Sequence, residues 1–201
     1  MSQGASRYFH RSNLLSYLSL LAGLMAIISS YESKTLGPAG ALIAFCVLAD
    51  LLDGKFASLF ARSREEKAFG IQLDSLVDAI VFGLAPIVCF YSAAFFADRT
   101  AHIIWWGAAF FYLVCAVTRL GAYNVESDHS RFIGLPTTLA GLVWSSFFFL
   151  NPSIPLSIAL LIGCGLAMVS PIRIARPNMA GMTLILGWTA VLMILHGARS
   201  M

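Results

Sequence analysis

Two pairs of aspartates interrupt long apolar stretches, in the sequences DLLDGKFA (residues 50–57) and GIQLDSLVD (residues 70–78). A carboxylate near the middle of a membrane costs roughly 2.5–3.5 kcal/mol on insertion scales, so four of them need a compensating partner. On a helix, the i, i+3 spacing places Asp50 and Asp53 on one face. The i, i+4 spacing does the same for Asp74 and Asp78. If the two helices are adjacent and antiparallel, all four carboxylates meet at one spot.

A cluster of carboxylates predicts a site for hard divalent cations, which prefer oxygen ligands. We therefore expect Asp50, Asp53, Asp74 and Asp78 to bind Mg²⁺ or Mn²⁺, two ions in all, for chemistry on a phosphate. The four cysteines and four histidines have neither Cys-x-x-Cys pairing nor zinc-ligand spacing, which argues against a thiolate or imidazole site.

The composition indicates a polytopic membrane protein. The chain has 201 residues, of which 59% are hydrophobic and only 11% are charged, whereas soluble domains average about 25% charged residues. We predict an all-α bundle of six to seven transmembrane helices, formed by one domain over residues 1–201 and preceded by a short cytoplasmic or interfacial segment. The apolar segments are 13–30, 37–61, 69–96, 101–123, 133–150, 154–170 and 180–197.

The basic residues predict the orientation of the bundle. With the N-terminus in the cytoplasm and seven crossings, only Lys34, Arg99 and Arg199 of the 13 lysines and arginines lie on the outer side. This bias follows the positive-inside rule and places the aspartates near the cytoplasmic face of what we expect to be a bacterial inner or plasma membrane. The predicted inner residues are Arg7, Arg11, Lys55, Arg62, Arg64, Lys67, Arg119, Arg131, Arg173 and Arg176.

The aspartate pattern resembles the signature of the CDP-alcohol phosphatidyltransferase family, Asp-x-x-Asp-Gly-x-x-Ala-Arg, eight residues, then Gly-x-x-x-Asp-x-x-x-Asp. The four aspartates match, as do Gly54 and Gly70. Similarity to the phosphatidylserine synthase branch extends over roughly residues 13–173. It includes the sequences LDSLVD (73–78), FGLAP (82–86), RLGAYN (119–124), FIGLP (132–136) and MVSPIR (168–173).

The resemblance implies a reaction and its partners. The phosphatidyl group of CDP-diacylglycerol would be transferred to an alcohol, with L-serine as the favoured acceptor. The products would be phosphatidylserine and CMP, and the reaction would require Mg²⁺ or Mn²⁺. A homodimer in contact with membrane lipids is also implied, and no nucleic-acid partner is expected. Asp78 is our choice of general base for the acceptor hydroxyl. Choline, inositol or glycerol phosphate remain alternative acceptors.

Residues near the aspartates are expected to bind the nucleotide and the lipid phosphate or acceptor. Gly54, Ala57 and Ala61 would leave space on one helical face, and Gly70 would open the next helix, where a pyrophosphate is favoured. The predicted nucleotide-binding set is Asp53, Gly54, Ala57, Ser58, Arg62, Gly70 and Asp74. Arg119, Asn124 and Arg131 are predicted to bind the lipid phosphate or the acceptor.

The chain departs from the family signature at one position. Ser58 stands where the family has arginine, and a longer connection, residues 59–69, precedes Gly70. The Ala61-Arg62 pair follows one helical turn after the usual place, about 5–6 Å along the axis. We therefore expect the long Arg62 side chain to reach back from the same side and take the role of the missing guanidinium.

Two readings compete with a transferase. The aspartates could form structural ion pairs with Arg62, Lys55 or Arg119 that hold the helices together. Alternatively, they could line the pathway of a cation or proton transporter. A transporter predicts acidic or broken-helix features in corresponding positions of two halves. After Asp78, no acidic residue lies within an apolar segment.

Overall fold

The seven predicted apolar segments form helices in the computed structural model of the chain, which describes residues 4–126, 131–175 and 177–199. The prediction of an all-α membrane-type fold is confirmed. The helices are α1 Leu14–Ser33, α2 Gly37–Ala57, α3 Arg64–Asp78, α4 Ala85–Ala93, α5 Arg99–Val125, α6 Thr137–Phe149, α7 Ile154–Val169 and α8 Met179–Arg199. A π-helical segment, Ala79–Leu84, joins α3 to α4.

Three short elements complete the fold. The 3₁₀ turns Ala5–Tyr8 and Arg11–Asn13 precede α1. A two-stranded antiparallel sheet pairs β1, Arg131–Ile133, with β2, Arg173–Ala175. Because β1 precedes α6 and β2 follows α7, this sheet ties the α6–α7 pair together at one end of the bundle.

Four helical stretches of the described residues are long and apolar enough to cross a membrane. They are Arg11–Ser33, Arg64–Ala93, Arg99–Val125 and Met179–Arg199. The apolar helices α6 and α7 are shorter, and α2, which carries Asp50 and Asp53, is not among the four. A crossing number of six or seven therefore stays a prediction.

Helix α2 lies at the centre of the bundle, in contact with α1, α6 and α8. Small residues permit this close packing: a Cβ placed on Gly40 of α2 would collide with the His196 ring of α8. Large side chains fill the core between α5, α6 and α7, where Trp105, Tyr112 and Trp144 are fully buried. This arrangement surrounds α2 with apolar neighbours along most of its length.

The π-helical segment begins directly after Asp78 and widens the helix at Val81, Phe82 and Gly83, which are buried. A π turn breaks the regular i to i−4 bonding and such turns are frequent at functional sites. The Tyr112 hydroxyl donates a 2.7 Å hydrogen bond to the Phe82 carbonyl. This bond from α5 stabilises the segment immediately behind the aspartates.

Charged residues line cavities at both ends of the bundle. Asp50 and Asp53 lie towards the C-terminal end of α2 and face one cavity, together with Arg119 of α5. At the other end, Lys34 lines one cavity with Arg199 and a second with Arg99, so the three cations predicted on the outer side lie together. Arg176, predicted on the inner side, lies outside the described residues.

Replacement of Tyr112 by phenylalanine should lower the stability of the bundle. The Phe82 carbonyl loses its donor, and hydrogen bonds between membrane helices contribute about 0.6 kcal/mol on average and up to about 1.7 kcal/mol. The thermal unfolding midpoint in detergent measures the change. Tyr91→Phe is the control, because Tyr91 is exposed and its hydroxyl bonds the half-buried His102 ring. An equal loss of stability in both variants would contradict this account.

Candidate active site

The aspartates of α2 and α3 converge. Carboxylate oxygens of Asp50, Asp74 and Asp78 lie within 4.8 Å of one another. Asp53 is outside this triad, but its carboxyl group is within hydrogen-bonding distance of that of Asp74, as Asp50 is of Asp78. Facing carboxylates repel each other when both are ionised, so a proton or a cation between them is required.

Two threonines at the start of α6 bind the aspartates from the other side. Thr138 Oγ1 donates to Asp50 Oδ2 at 2.7 Å, and Thr137 Oγ1 donates to Asp78 Oδ2 at 3.3 Å. The sequence analysis did not identify these residues. The available signal was the pair of hydroxyls directly after the FIGLP sequence, at the start of an otherwise apolar segment.

A cavity of about 720 Å³ opens onto the aspartates. Its polar wall includes Arg119, Tyr123 and Asn124 of α5, and its apolar wall includes Met182 and Ile185 of α8. On the opposite side of the aspartates, Ser16 and Ser19 of α1 close the cluster. The carboxylates therefore form the floor of a chamber with both polar and apolar walls.

The donor set of this chamber fits a divalent cation of the hard class. Every side-chain ligand atom of the triad is a carboxylate oxygen, which suits Mg²⁺ or Mn²⁺ and disfavours the softer metals. Two of the carboxylates already accept hydrogen bonds from Thr137 and Thr138. Supported ligands of this kind are typical of metal sites.

The predicted phosphate or acceptor residues are found in different settings. Arg119 is buried at 8% exposure, lies close enough to interact with the charges of Asp78 and Asp50, and stacks over the Tyr123 ring at 5.1 Å. Asn124 Nδ2 donates to Ser75 Oγ at 2.9 Å, so these two residues bridge α5 and α3 at the cavity wall. The Arg131 backbone pairs with Ala175 in the sheet.

The small residues near the end of α2 lie in different surroundings. Gly54 lines the cavity, and a Cβ placed there would meet no atom of the described chain within 4 Å. Ala57 is buried at the last position of α2, and the Ser58 hydroxyl donates to the Lys55 carbonyl at 2.6 Å. Ala61 was predicted on the same helical face, which is wrong because α2 ends at Ala57.

The prediction that Gly70 opens a helix is also wrong. Helix α3 begins at Arg64, and a capping box of Ser63 and Glu66 satisfies its first backbone amides. Gly70 therefore lies in the second turn, where no free amino end is present. The capping signal, Ser63 followed three residues later by Glu66, was readable from the sequence.

Arg62 lies in the connection between α2 and α3, and not one helical turn further along α2. Its guanidinium lies against Gly70 of α3: a Cβ on Gly70 would stand 3.5 Å from Arg62 Nη1 and 3.3 Å from Asn13 Oδ1. Gly70 thus makes room for Arg62, whose charge is close enough to act on Asp53. Arg62 Nε is buried and has no hydrogen-bond partner within the described ranges.

The sequence that carries this site matches a known protein family. A model of the CDP-alcohol phosphatidyltransferase family matches residues 9–195. The chain belongs to this family. CDP-alcohol phosphatidyltransferases use divalent metals, and the triad of Asp50, Asp74 and Asp78 could bind one.

Several curated proteins are similar to this family member. An archaetidylserine synthase of Methanothermobacter thermautotrophicus is 34% identical over 84% of the chain and 71% of its own length. A CDP-diacylglycerol–serine O-phosphatidyltransferase of Helicobacter pylori is 30% identical over 80% of the chain and 70% of its own length. The Mycobacterium bovis enzyme of the same name is 32% identical over 68% of the chain, but the match spans only 53% of that protein.

In this CDP-alcohol phosphatidyltransferase, Gly54→Ala should separate stability from ligand binding. Alanine is favoured over glycine within a helix by up to about 1 kcal/mol, so the thermal midpoint should stay or rise. A methyl group in the cavity should lower kcat/KM for the CDP-lipid about tenfold or more. Gly107→Ala is the control, since a Cβ at Gly107 also meets no described atom within 4 Å, in α5. Unchanged kcat/KM in Gly54→Ala would show that no ligand approaches Gly54.

Proposed function

We propose that the protein transfers a phosphatidyl group from CDP-diacylglycerol to L-serine, forming phosphatidylserine and releasing CMP. One observation carries this proposal: in a member of this family, carboxylates from two helices meet on the floor of a chamber large enough for a nucleotide. The similar proteins named above differ in the lipid part of their names but share serine. Because serine is common to both names, we favour L-serine over choline, inositol or glycerol phosphate as the acceptor.

The transfer requires a base and a means of stabilising phosphate charge. Asp78 takes the proton of the acceptor hydroxyl, whose oxygen then bonds to the phosphorus of the phosphatidyl group. The bond from that phosphorus to the CMP oxygen breaks, and CMP leaves with the electron pair. Mg²⁺ or Mn²⁺, in one or two positions held by Asp50, Asp53, Asp74 and Asp78, would neutralise the pyrophosphate and the leaving CMP.

The nucleotide and its pyrophosphate would bind at the end of α2. Gly54 gives open space beside Asp53, and Arg62 supplies a guanidinium that matches phosphate oxygens. The buried Nε of Arg62, without a partner among the described residues, supports this role. Ser58 bonds its own helix end, so the position that holds arginine in the family signature carries no charge here.

The acceptor would bind on the α5 side of the chamber. Arg119 provides a positive charge next to Asp78 and Asp50, which suits the carboxylate of serine. Ser75 and Asn124, joined by their hydrogen bond, offer further polar atoms at this wall. Arg131 follows in the adjacent strand β1 as a candidate for the lipid phosphate.

The site would face the cytoplasm. Lys55, Arg62 and Arg64 lie at the same end as the aspartates, while Lys34, Arg99 and Arg199 line cavities at the other end. By the positive-inside rule the aspartate end is cytoplasmic, as is the N-terminus. We further propose that residues 1–201 form one domain and that the protein functions as a homodimer.

The direct test is a reconstituted assay with purified protein in mixed micelles. CMP release from CDP-diacylglycerol should depend on Mn²⁺ or Mg²⁺ and on L-serine, with choline, inositol and glycerol phosphate giving little product. Asp78→Asn should lower kcat by about 10²–10⁴-fold, because the base is lost. Asp98→Asn is the control at the opposite end, where Asp98 caps α5. CMP release with another acceptor alone would contradict serine, and full activity of Asp78→Asn would contradict its role.

Arg62→Ala tests the replacement of the signature arginine. Loss of a charge-assisted bond to phosphate should raise KM for the CDP-lipid about tenfold, with a smaller change in kcat. Arg64→Ala is the control, because Arg64 is exposed in the first turn of α3. An unchanged KM in Arg62→Ala, or an equal rise in both variants, would count against the assignment.

A further inference from the structure

We propose that Thr137 and Thr138 are positioning residues that hold Asp50 and Asp78 in the geometry needed for cation binding. The inference rests on the proposed function only in that the aspartates bind a divalent ion. No direct contact between these threonines and the substrate is proposed. They act through the carboxylates of two other helices.

The first support is that the two hydroxyls bond aspartates of two different helices. Thr138 donates to Asp50 of α2, and Thr137 donates to Asp78 of α3, in each case to Oδ2. Adjacent residues of a helix point about 100° apart, since 3.6 residues complete a turn. The first turn of α6 can therefore reach two helices at once and fix the separation between their carboxylates.

The second support is that each hydrogen bond leaves one carboxylate oxygen of the aspartate available to a cation. An ionised carboxylate accepts through two oxygens, so a hydroxyl on Oδ2 leaves Oδ1 for a cation. A donor on one oxygen also stops the carboxyl group from rotating about its last bond. Ligand carboxylates with such support bind metal more tightly than unsupported ones.

The third support is the rigid start of α6. The Gly134 amide donates to the Ile172 carbonyl at 2.8 Å, and the Leu135 amide donates to the Ala167 carbonyl at 2.9 Å. Gly134 has a φ of 73°, and any Cβ there would collide with the Met168 carbonyl. These bonds attach the residues before α6 to the end of α7, so the threonines stand on a fixed base.

The fourth support is the environment of the hydroxyls. Thr137 is 1% exposed, and Thr138 is half-buried at the cavity wall. A buried hydroxyl needs a hydrogen-bond partner, and for both threonines that partner is an aspartate. The shorter bond, 2.7 Å against 3.3 Å, assigns the larger effect to Thr138.

The test is a Mn²⁺ titration of the full-length protein in detergent, followed by electron paramagnetic resonance of the free ion. Thr138→Val keeps the shape of the side chain and removes the donor, and it should weaken Mn²⁺ binding about 10–100-fold. Thr137→Val should weaken it less, and Thr138→Ser should restore binding close to that of the natural chain. Thr189→Val is the matched control, because Thr189 is fully buried and its one hydrogen bond within the described ranges goes to the Ile185 carbonyl of its own helix.

Thermal midpoints of all variants identify those that fold. If Thr138→Val does not fold, Thr138→Ala removes the same hydroxyl without adding a methyl group, and the same loss of Mn²⁺ affinity is expected. Natural-strength Mn²⁺ binding by a folded variant without the Thr138 hydroxyl overturns the inference. Equal weakening in Thr138→Ser and Thr138→Val overturns it as well. Absence of Mn²⁺ binding in the natural chain overturns the proposed function, and the inference with it.

Discussion

The structure depends on four carboxylates, one buried and three half-buried, that lie within an apolar helical bundle. Charges in such surroundings are costly unless they are paired or bound to a cation. Asp50, Asp74 and Asp78 lie close enough to share one ion, and the carboxyl group of Asp53 is close enough to interact with that of Asp74. A cation placed among them would turn mutual repulsion into attraction, so binding the ion and stabilising the fold would be the same event.

The helices around the aspartates carry them or hold them in place. Helix α2 is central and carries two of the carboxylates, α3 carries the other two, and α6 begins with two hydroxyl donors aimed at them. The π-helical segment directly after Asp78 is held by Tyr112 from α5. Helices α6 and α5 therefore support two of the carboxylates and the backbone next to Asp78, while Lys34, Arg99 and Arg199 line cavities at the opposite end of the bundle.

Much of this architecture was predictable from the sequence, because it follows from local periodicity. Apolar stretches predicted the helices, and the i, i+3 and i, i+4 spacings placed each aspartate pair on one face. What the local pattern could not predict depends on tertiary contacts. Thr137 and Thr138 gain their role only because α6 starts beside α2 and α3, and Arg62 reaches Gly70 only because α2 ends at Ala57. Gly70 lies within α3 and not at its start, because the capping box of Ser63 and Glu66 begins the helix at Arg64.

The central claim is that Asp50, Asp74 and Asp78 bind a divalent cation together. Anomalous diffraction from crystals soaked in Mn²⁺ tests it most directly, since manganese scatters anomalously and the protein's own atoms do so only weakly at its absorption edge. The account predicts an anomalous peak within coordination distance of all three carboxylates, about 2.0–2.6 Å from their oxygens. Carboxylates that diverge from one another, with no peak between them at saturating Mn²⁺, would contradict it.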